Sequence, residues 1–519
     1  MAGKYLLGVD VGTTSVKVAV IDENAGVLGI SKSSYNLITP EPDYQQIDTE
    51  DMWRAFLKCL ELVSEGKGLD LSQISGIGIS SLCPGLAAFG EDGEVLVDPI
   101  LYSDRRSTEE AEIILSAVGS DKLFEITANT AMAGATSGTS MLWIKRNLPE
   151  IYEKTKYFGH VNTLMALRMT GRYAIDYSNA SYSNFFETAG GFKWSSHICD
   201  KVGIDMEKLP PLLHSTDVVG GLINQELIGM GLKQGTPVVI GGGDTACASL
   251  AESCASLAVG VTRNGDVCES VGTTNVLTIC VDQPKFDHGF INRCHVVDGT
   301  WIYQGAMSHT GAAYQWFKDE FCKDLQDESE LTHQDVFIRM NEEAVKAKPG
   351  CGGLVFLPYM LGERSPVWDP YARGVFFGIS LHTTRKDFNR AIMEGCGYGL
   401  RQLAEIAGRV TGKHIGEFVS IGGGAKSEVW AQIKADIMGV NIKVLDLNDM
   451  APIGAALLAG VGAGCFADVY EASAKVERKV CREVTASHSN DDVYERGYRV
   501  YTELYPRIKD LYKITSNLH

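Results

Sequence analysis

The chain has 519 residues, too many for one hydrophobic core, and predicts two large domains. Its net charge is −18, from 47 basic and 65 acidic residues, which argues against a nucleic-acid surface or an anionic membrane but leaves room for a local, metal-neutralised nucleotide site. The 13 cysteines sit singly in apolar surroundings, as at Cys247, Cys254, Cys268 and Cys280, so they read as buried thiols in a reducing cytoplasm, not as disulfides or a zinc site.

Taken in order, residues 5–38 read as strands built around Val11-Gly12-Thr13-Thr14. Asp10 follows the start at once, so no leader segment is expected. A helix is predicted over 51–63, with Trp53, Phe56, Leu57, Leu60 and Val63 on one face. A short buried strand covers 74–79. Residues 105–185 read as mainly helical, interrupted by the small-residue run 131–140. Thr236-Pro237-Val238-Val239-Ile240 is a second buried strand, leading into Gly241-Gly242-Gly243-Asp244-Thr245. A closely packed helix is predicted over 246–257. The most apolar stretch, around 246–261, is broken by Glu252 and several serines, so no membrane span is expected. A second hairpin opens at about 258, around Val271-Gly272-Thr273-Thr274. Helices are expected at 309–323, 334–347, 386–408 and 428–438, with a strand over 417–421 running into Gly422-Gly423-Gly424. An amphipathic helix over 491–512 carries Tyr494, Tyr498, Tyr501 and Leu504, and should pack back on the body. With no low-complexity linker, the boundary reads as a hinge near 244–260.

The repeated Val-Gly-Thr-Thr string is the strongest signal. In each copy an apolar strand, a Gly-Thr-Thr turn and a second strand follow one another, which suggests two related domains facing each other. Turn N–H groups and threonine hydroxyls suit phosphate oxygens, and Lys17 adds a positive charge in the first copy. Asp10 precedes the first string where Ser270 precedes the second. A carboxylate beside phosphate is repulsive unless a cation lies between them, so Asp10 reads as a Mg²⁺-side residue. Asp244 projects from a strand end behind three glycines. It reads either as a general base or as the cap of the next helix.

These residues together resemble the FGGY family of carbohydrate kinases, and within it the xylulokinase-like group, over nearly the whole chain. The most specific segment is Gly374-Val375-Phe376-Phe377-Gly378-Ile379 with Asp387-Phe388 and Ala391-Ile392-Met393-Glu394-Gly395. A looser one is Ser140-Met141-Leu142-Trp143-Ile144-Lys145-Arg146-Asn147, and a third comprises Phe356-Leu357-Pro358-Tyr359 and Gly362-Glu363-Arg364-Ser365-Pro366. The resemblance implies an α/β fold: two ribonuclease-H-like domains of the actin/hexokinase/Hsp70 type with ATP and sugar in an interdomain cleft. It implies an N-terminal domain over 1–250, a C-terminal nucleotide-binding domain over 251–485, and a returning helix over 486–519. Asp244 becomes the catalytic base and, with Asp10, a metal-side carboxylate. Gly12, Thr13, Thr14 and Lys17 lie near the phosphates; Gly272, Thr273, Gly311 and Gln315 close from the other side; Gly423, Gly424, Ala425, Ser427 and Glu428 flank the adenosine. ATP, Mg²⁺ and a small sugar are the implied ligands, with no nucleic acid or membrane partner, and relatives are often dimers.

Acceptor identity is where the sequence departs from the group. Xylulokinases carry Gln-Met-His-Gly where this chain has Leu82-Cys83-Pro84-Gly85, and Pro84 cannot donate the hydrogen bond of a histidine. Trp-Asn-Asp is replaced by Tyr102-Ser103-Asp104, followed by Arg105 and Arg106, which either pair with neighbouring carboxylates or face an anionic acceptor. Cys83, Pro84, Tyr102, Ser103, Asp104, Asp244 and Thr245 are the acceptor-side candidates. D-xylulose or a related ketose is the default; a polyol or an aldonate such as gluconate is the alternative. A sugar-independent ATPase and a non-catalytic sugar sensor are the competing classes. His295 and His309 read as structural, and Trp194 as a surface or lid aromatic.

Overall fold

The computed structural model describes residues 5–515. Two mixed sheets dominate it. The first runs β1 (Tyr5–Val11), β2 (Ser15–Ile21), β3 (Val27–Ser34), β4 (Ile74–Ser81), β5 (Val218–Gly221) and β6 (Pro237–Gly243), in spatial order β5-β6-β4-β1-β2-β3. The second runs β7 (Val267–Val271), β8 (Asn275–Val281), β9 (Ile291–Cys294), β10 (Trp301–Met307), β11 (Glu417–Ile421), β12 (Asn441–Leu445) and β13 (Val480–Val484), in order β9-β10-β8-β7-β11-β12-β13. The centres repeat. An antiparallel hairpin (β1–β2, β7–β8) gains a third antiparallel strand, and its first strand then pairs in parallel with a later one (β4, β11), which pairs in parallel with the next (β6, β12). This is the doubled ribonuclease-H-like arrangement that the repeated string implied.

Helix α1 (Thr49–Lys67) follows the first three strands. It begins two residues before the apolar pattern does, because Asp48 caps it by accepting from the N–H groups of Glu50 and Asp51, a contribution of about 1 kcal/mol. Trp53, Phe56, Leu60 and Val63 bury against the first sheet. Between β4 and β6 the strands Gly85–Phe89, Val95–Leu101 and Tyr157–Gly159 join the earlier short strands Leu37–Ile38 and Gln46–Ile47 in a five-stranded sheet. The Cys83-Pro84 and Tyr102-Ser103-Asp104 segments lie at its ends.

Several predicted elements are corrected. The helix expected over 246–257 is α2, Asp244–Ala251, and it stops early because Glu252 takes a non-helical ψ of −160°. The second hairpin begins at Val267, not near 258. A helix at Lys323–Thr332 was not foreseen, and the helix Ser137–Asn147 starts inside the small-residue run. Helices α3 (Thr310–Phe321), α4 (Arg385–Thr411) and α5 (Glu428–Met438) pack in the second lobe.

Helix α6 (Met450–Gly462) lies within the range assigned to the second domain, yet it packs on β1, β4 and β6 of the first sheet. A Cβ on Gly8 would lie 1.7 Å from the Pro452 carbonyl oxygen, and one on Gly78 1.9 Å from that of Ala455. Only glycine admits so close a helix. The last helix, α7 (Asp491–Thr515), buries Tyr494, Tyr498, Tyr501 and Leu504 in the core of the second lobe. Among the described residues no helix is long and apolar enough to cross a membrane.

Candidate active site

The ends of three neighbouring parallel strands build the first-lobe half of the site. In the order β1, β4, β6 they deliver Asp10 and the Gly12-Thr13-Thr14 turn, then Cys83, then Asp244. Asp10 is buried and accepts from Ser80 Oγ at 2.8 Å. Burial, reinforced by the nearby Asp244 charge, pushes its carboxyl up to about 6. Asp244 opens α2. Its Oδ1 accepts from the backbone N–H of Thr245 at 2.6 Å and from the Thr245 hydroxyl at 3.2 Å, and among the described residues Oδ2 has no side-chain partner. The capping alternative is not met, since Gly243 is the N-cap residue and no side chain caps this helix. Two converging carboxylates fit a divalent cation shared with phosphate. Among the described residues no group of three or more acidic, histidine or cysteine side chains is placed to hold a metal ion.

The Gly12 turn is closed by its N–H donating to the Ser15 carbonyl at 3.0 Å, and the Tyr35 hydroxyl binds the Gly12 carbonyl. Thr13 Oγ1 meets the Tyr102 hydroxyl at 3.2 Å, which ties the phosphate turn to the acceptor-side loop. Lys17 stands opposite Asp10 in the β1–β2 ladder, but its ammonium is 2.7 Å from Asp449, at the start of α6. In this arrangement it is paired with a carboxylate from the far end of the chain.

The second half converges from the other lobe. Gly272 and Thr273 are exposed at the β7–β8 turn. Gly311, in the first turn of α3, touches that turn, and the Ala312 N–H donates to the Thr273 carbonyl at 3.1 Å. The loop 422–424 packs on Val271, with Gly422 at φ +91°. Below the turn, Glu269 is buried and accepts from Lys434 Nζ and Ser420 Oγ, each at 2.5 Å, and from Asn275 at 2.7 Å. Gly12, Thr13, Thr14, Gly272, Thr273, Gly311, Gly423 and Gly424 thus line the two faces. Ala425 is buried beneath its turn. Gln315 is turned along its helix to Asp319, and Glu428 points to solvent. Ser427 caps α5 through the Trp430 N–H and contacts Asn341.

On the acceptor side, Pro84 is buried. Cys83 faces the site with its thiol pushed well up by burial, hence neutral. Asp104 is fully buried and saturated: Arg106 grips it from Nε at 3.0 Å and Nη2 at 2.8 Å, and the Gln45 N–H donates at 2.7 Å. Asp104 therefore shapes its loop and offers the acceptor no free oxygen, a correction to its expected role. Arg106 lies over the Tyr44 ring at 3.8 Å, while Arg105 donates to the carbonyls of Tyr102, Asp104 and Ala133. Arg106 is thus spent on Asp104, and Arg105 commits its Nη1 to backbone carbonyls. Ser103 is held by Gln45. His295 is structural as read: it is buried, bound to the Val261 carbonyl, and lowered to about 4 by burial. His309 instead sits just before α3 with a buried, unpartnered Nδ1. Trp194 is no lid, since its indole donates to the Pro210 carbonyl at 2.9 Å.

Arg293 was missed. The middle of β9 carries it to the floor of the acceptor side, where it is 1% exposed and lies 5.5 Å from the centre of the Tyr182 ring. The sequence signal was a lone arginine in the run Ile291-Asn292-Arg293-Cys294, a charge where a buried strand expects none.

Two facing lobes, each ending in a phosphate-sized turn, with a carboxylate pair between them, define a phosphotransferase of the actin/hexokinase-like fold. Residues 5–251 match the FGGY family of carbohydrate kinases, N-terminal domain, and residues 268–463 match the C-terminal domain of the same family. The chain belongs to the FGGY family of carbohydrate kinases. It is 31% identical to the xylulose kinase of Bacillus subtilis over 98% of both chains, and 27% identical to the gluconokinase of that organism over 88% of this chain and 86% of the other. The crystal structure of xylulose kinase from Rhodospirillum rubrum superposes with a TM-score of 0.87 at 25% identity, covering 98% of this chain and all of that one.

Proposed function

We propose that this carbohydrate kinase transfers the γ-phosphoryl group of ATP to a hydroxyl of D-xylulose or a related ketose, with Asp244 as general base. The observation that carries the residue roles is the side-by-side delivery of Asp10, Cys83 and Asp244 from the adjacent strand ends β1, β4 and β6. The acceptor hydroxyl sits over Asp244, whose carboxylate takes the proton as the oxygen bonds to phosphorus. The bond between that phosphorus and the bridging oxygen breaks, and ADP carries the electron pair away. Backbone N–H groups of the Gly12 and Gly272 turns hold the phosphates, and Lys17 exchanges Asp449 for them. Asp10 and Asp244 would hold Mg²⁺, which supplies neutralising charge to the phosphate oxygens when bound. The rest is positioning and exclusion of water as the lobes close.

We divide the chain into an N-terminal domain over 1–250, a C-terminal domain over 251–485 whose helix α6 reaches back onto the first sheet, and a C-terminal segment over 486–519 of which Asp491–Thr515 packs on the second lobe. The buried, unpaired cysteines support a reducing, cytoplasmic setting. Two features keep gluconate-type acids as a second reading: the similarity to a gluconokinase and the arginine on the acceptor floor. The test is ADP release with ATP and Mg²⁺ across ketoses, polyols and aldonates, beside Asp244→Ala. One strong acceptor whose signal vanishes in the variant supports the reading. ADP release that ignores the acceptor refutes it.

A further inference from the structure

The guanidinium of Arg293 is the one feature of the acceptor floor that the proposed mechanism leaves unused. It is buried, and its Nε and Nη2 have no hydrogen-bond partner. Those two nitrogens form one edge of the planar group, the edge that binds paired oxygens side-on. Nη1 points the other way and comes within 3.3 Å of where a Cβ on Gly243 would stand, one residue before Asp244. Cys83 Cβ lies 3.5 Å from the same point.

Among the described residues no carboxylate forms an ion pair with this guanidinium, the adjacent Asp244 included, and the Tyr182 ring at 5.5 Å is the aromatic face it meets. Asp176 is close, but its oxygens already accept from Asn162, from Ser178 and from both N–H donors of Asn179. Asp104 is taken by Arg106. A buried charge without a partner is costly, and proteins keep one where a ligand supplies the partner. Flanking Asn292 exchanges hydrogen bonds with Asn129, and the Cys294 N–H donates to Ser181 Oγ, so in this arrangement the strand rests on the first lobe on both sides of Arg293, through contacts that parting of the lobes would release.

The strand order separates this group from the phosphates. The phosphate turn follows β1, and Cys83 and Asp244 follow β4 and β6. Arg293 adjoins Gly243 and Cys83, at the ends of β6 and β4, with the Gly12 turn one strand further along. We propose that Arg293 reads the unreactive end of the acceptor, receiving an sp² oxygen group, the carbonyl of an open-chain ketose or the carboxylate of an aldonate, and so selects such acceptors over polyols. This rests on the kinase reading above. Because Nε and Nη2 are closed off from solvent here, the acceptor meets them as the lobes part and close again. With Pro84 in place of a histidine and a neutral thiol at Cys83, Arg293 is the strongest donor on this floor.

The test uses the full chain, with Arg293→Met and Arg293→Lys beside the wild type. Each is assayed with ATP and Mg²⁺ on D-xylulose, D-gluconate and xylitol, with ATP affinity by calorimetry and melting temperature measured in parallel. The wild type should favour the ketose or the aldonate over the polyol, and which of the two it favours names the group that Arg293 receives. R293M should raise KM for that acceptor about 100-fold or more while ATP affinity stays within about twofold. R293K should recover part of the loss. R293M should melt no lower than the wild type, since it removes an unpaired buried charge. A polyol preference, or an unchanged acceptor KM in R293M, overturns the inference and leaves the kinase reading standing. So does a fall in melting temperature with equal losses for ATP and all three acceptors, which marks a structural arginine. No turnover by the wild type on any acceptor overturns both.

Discussion

Gly311 has no room for a side chain: a Cβ on it would lie 2.1 Å from the carbonyl oxygen of Gly272. The first turn of α3 is therefore seated directly on the second phosphate turn, and each fixes the other. Gly311→Ala forces that turn outward, because the obstacle is backbone and not a flexible side-chain end. The expected result is a loss of at least about tenfold in ATP affinity, roughly 1.4 kcal/mol, with acceptor affinity unchanged, read by calorimetry. Equal ATP affinity in the variant would show that the turn does not touch the nucleotide.

Asp244→Asn keeps the shape and the Thr245 contacts while removing the basic oxygen. A general base contributes about 10² to 10⁴ in rate. We expect kcat to fall in that range with little change in KM for the acceptor, measured by coupled ADP release. A loss confined to KM would make Asp244 a binding residue only.

Lys17 and Asp449 form a half-exposed pair, and such pairs contribute about 0–1 kcal/mol to stability. Lys17→Met should weaken ATP binding without lowering the melting temperature appreciably. Asp449→Asn frees the ammonium and should tighten ATP binding about two- to fivefold. Weaker binding in Asp449→Asn would instead place that carboxylate on the metal side of the nucleotide.

The parts of the site that were legible in the sequence are local ones. An apolar run ending at Asp10 or at Gly241-Gly242-Gly243 announces a buried strand with a functional residue at its tip, and the second Val-Gly-Thr-Thr string announced the second lobe. The Lys17–Asp449 pair was illegible, because it joins the first hairpin to a helix more than 400 residues later. Asp104 was half legible, since pairing with the arginines that follow it was one of the two readings. Arg106 lies two residues away, and only the fold shows that the two are sealed together beneath Tyr44 and Trp143. The helix drawn through 257 failed because small residues continue past Ala251 while the backbone does not; Leu257 even takes a φ of +60°.

The proposed metal role of Asp10 makes nucleotide binding depend on pH. Its carboxyl is raised to about 6 by burial and by Asp244, so the free protein holds a proton there that the unfolded chain releases near 3.8. Its protonation stabilises the fold below about pH 4, and that contribution is lost as pH rises through about 6. Mg²⁺ needs the carboxylate. Mg·ATP affinity should therefore fall as pH drops through about 6, and binding near pH 6 should release a proton, seen as a buffer-dependent calorimetric heat. Asp10→Asn should abolish that dependence along with tight Mg·ATP binding. A flat profile from pH 5 to 8 would remove Asp10 from the metal side.

The second turn rests on a buried charge pair. Lys434 and Glu269 are 2% and 0% exposed, with Nζ 2.5 Å from Oε2, and Ser420 and Asn275 complete the carboxylate's hydrogen bonds. Glu269 lies three residues before Gly272, so the pair anchors the base of the strand that presents the turn. Removing one partner strands a charge in the core, which costs about 3–5 kcal/mol, whereas removing both leaves only the shape to be filled. Lys434→Met should lower stability by about that amount in urea unfolding, and Glu269→Gln/Lys434→Met should recover most of it. ATP affinity should follow the same order: weakest in Lys434→Met and partly restored in the double variant. If the double variant is as unstable as the single one, the hydrogen bonds of Glu269 to Ser420 and Asn275 carry the anchor, and the ion pair does not.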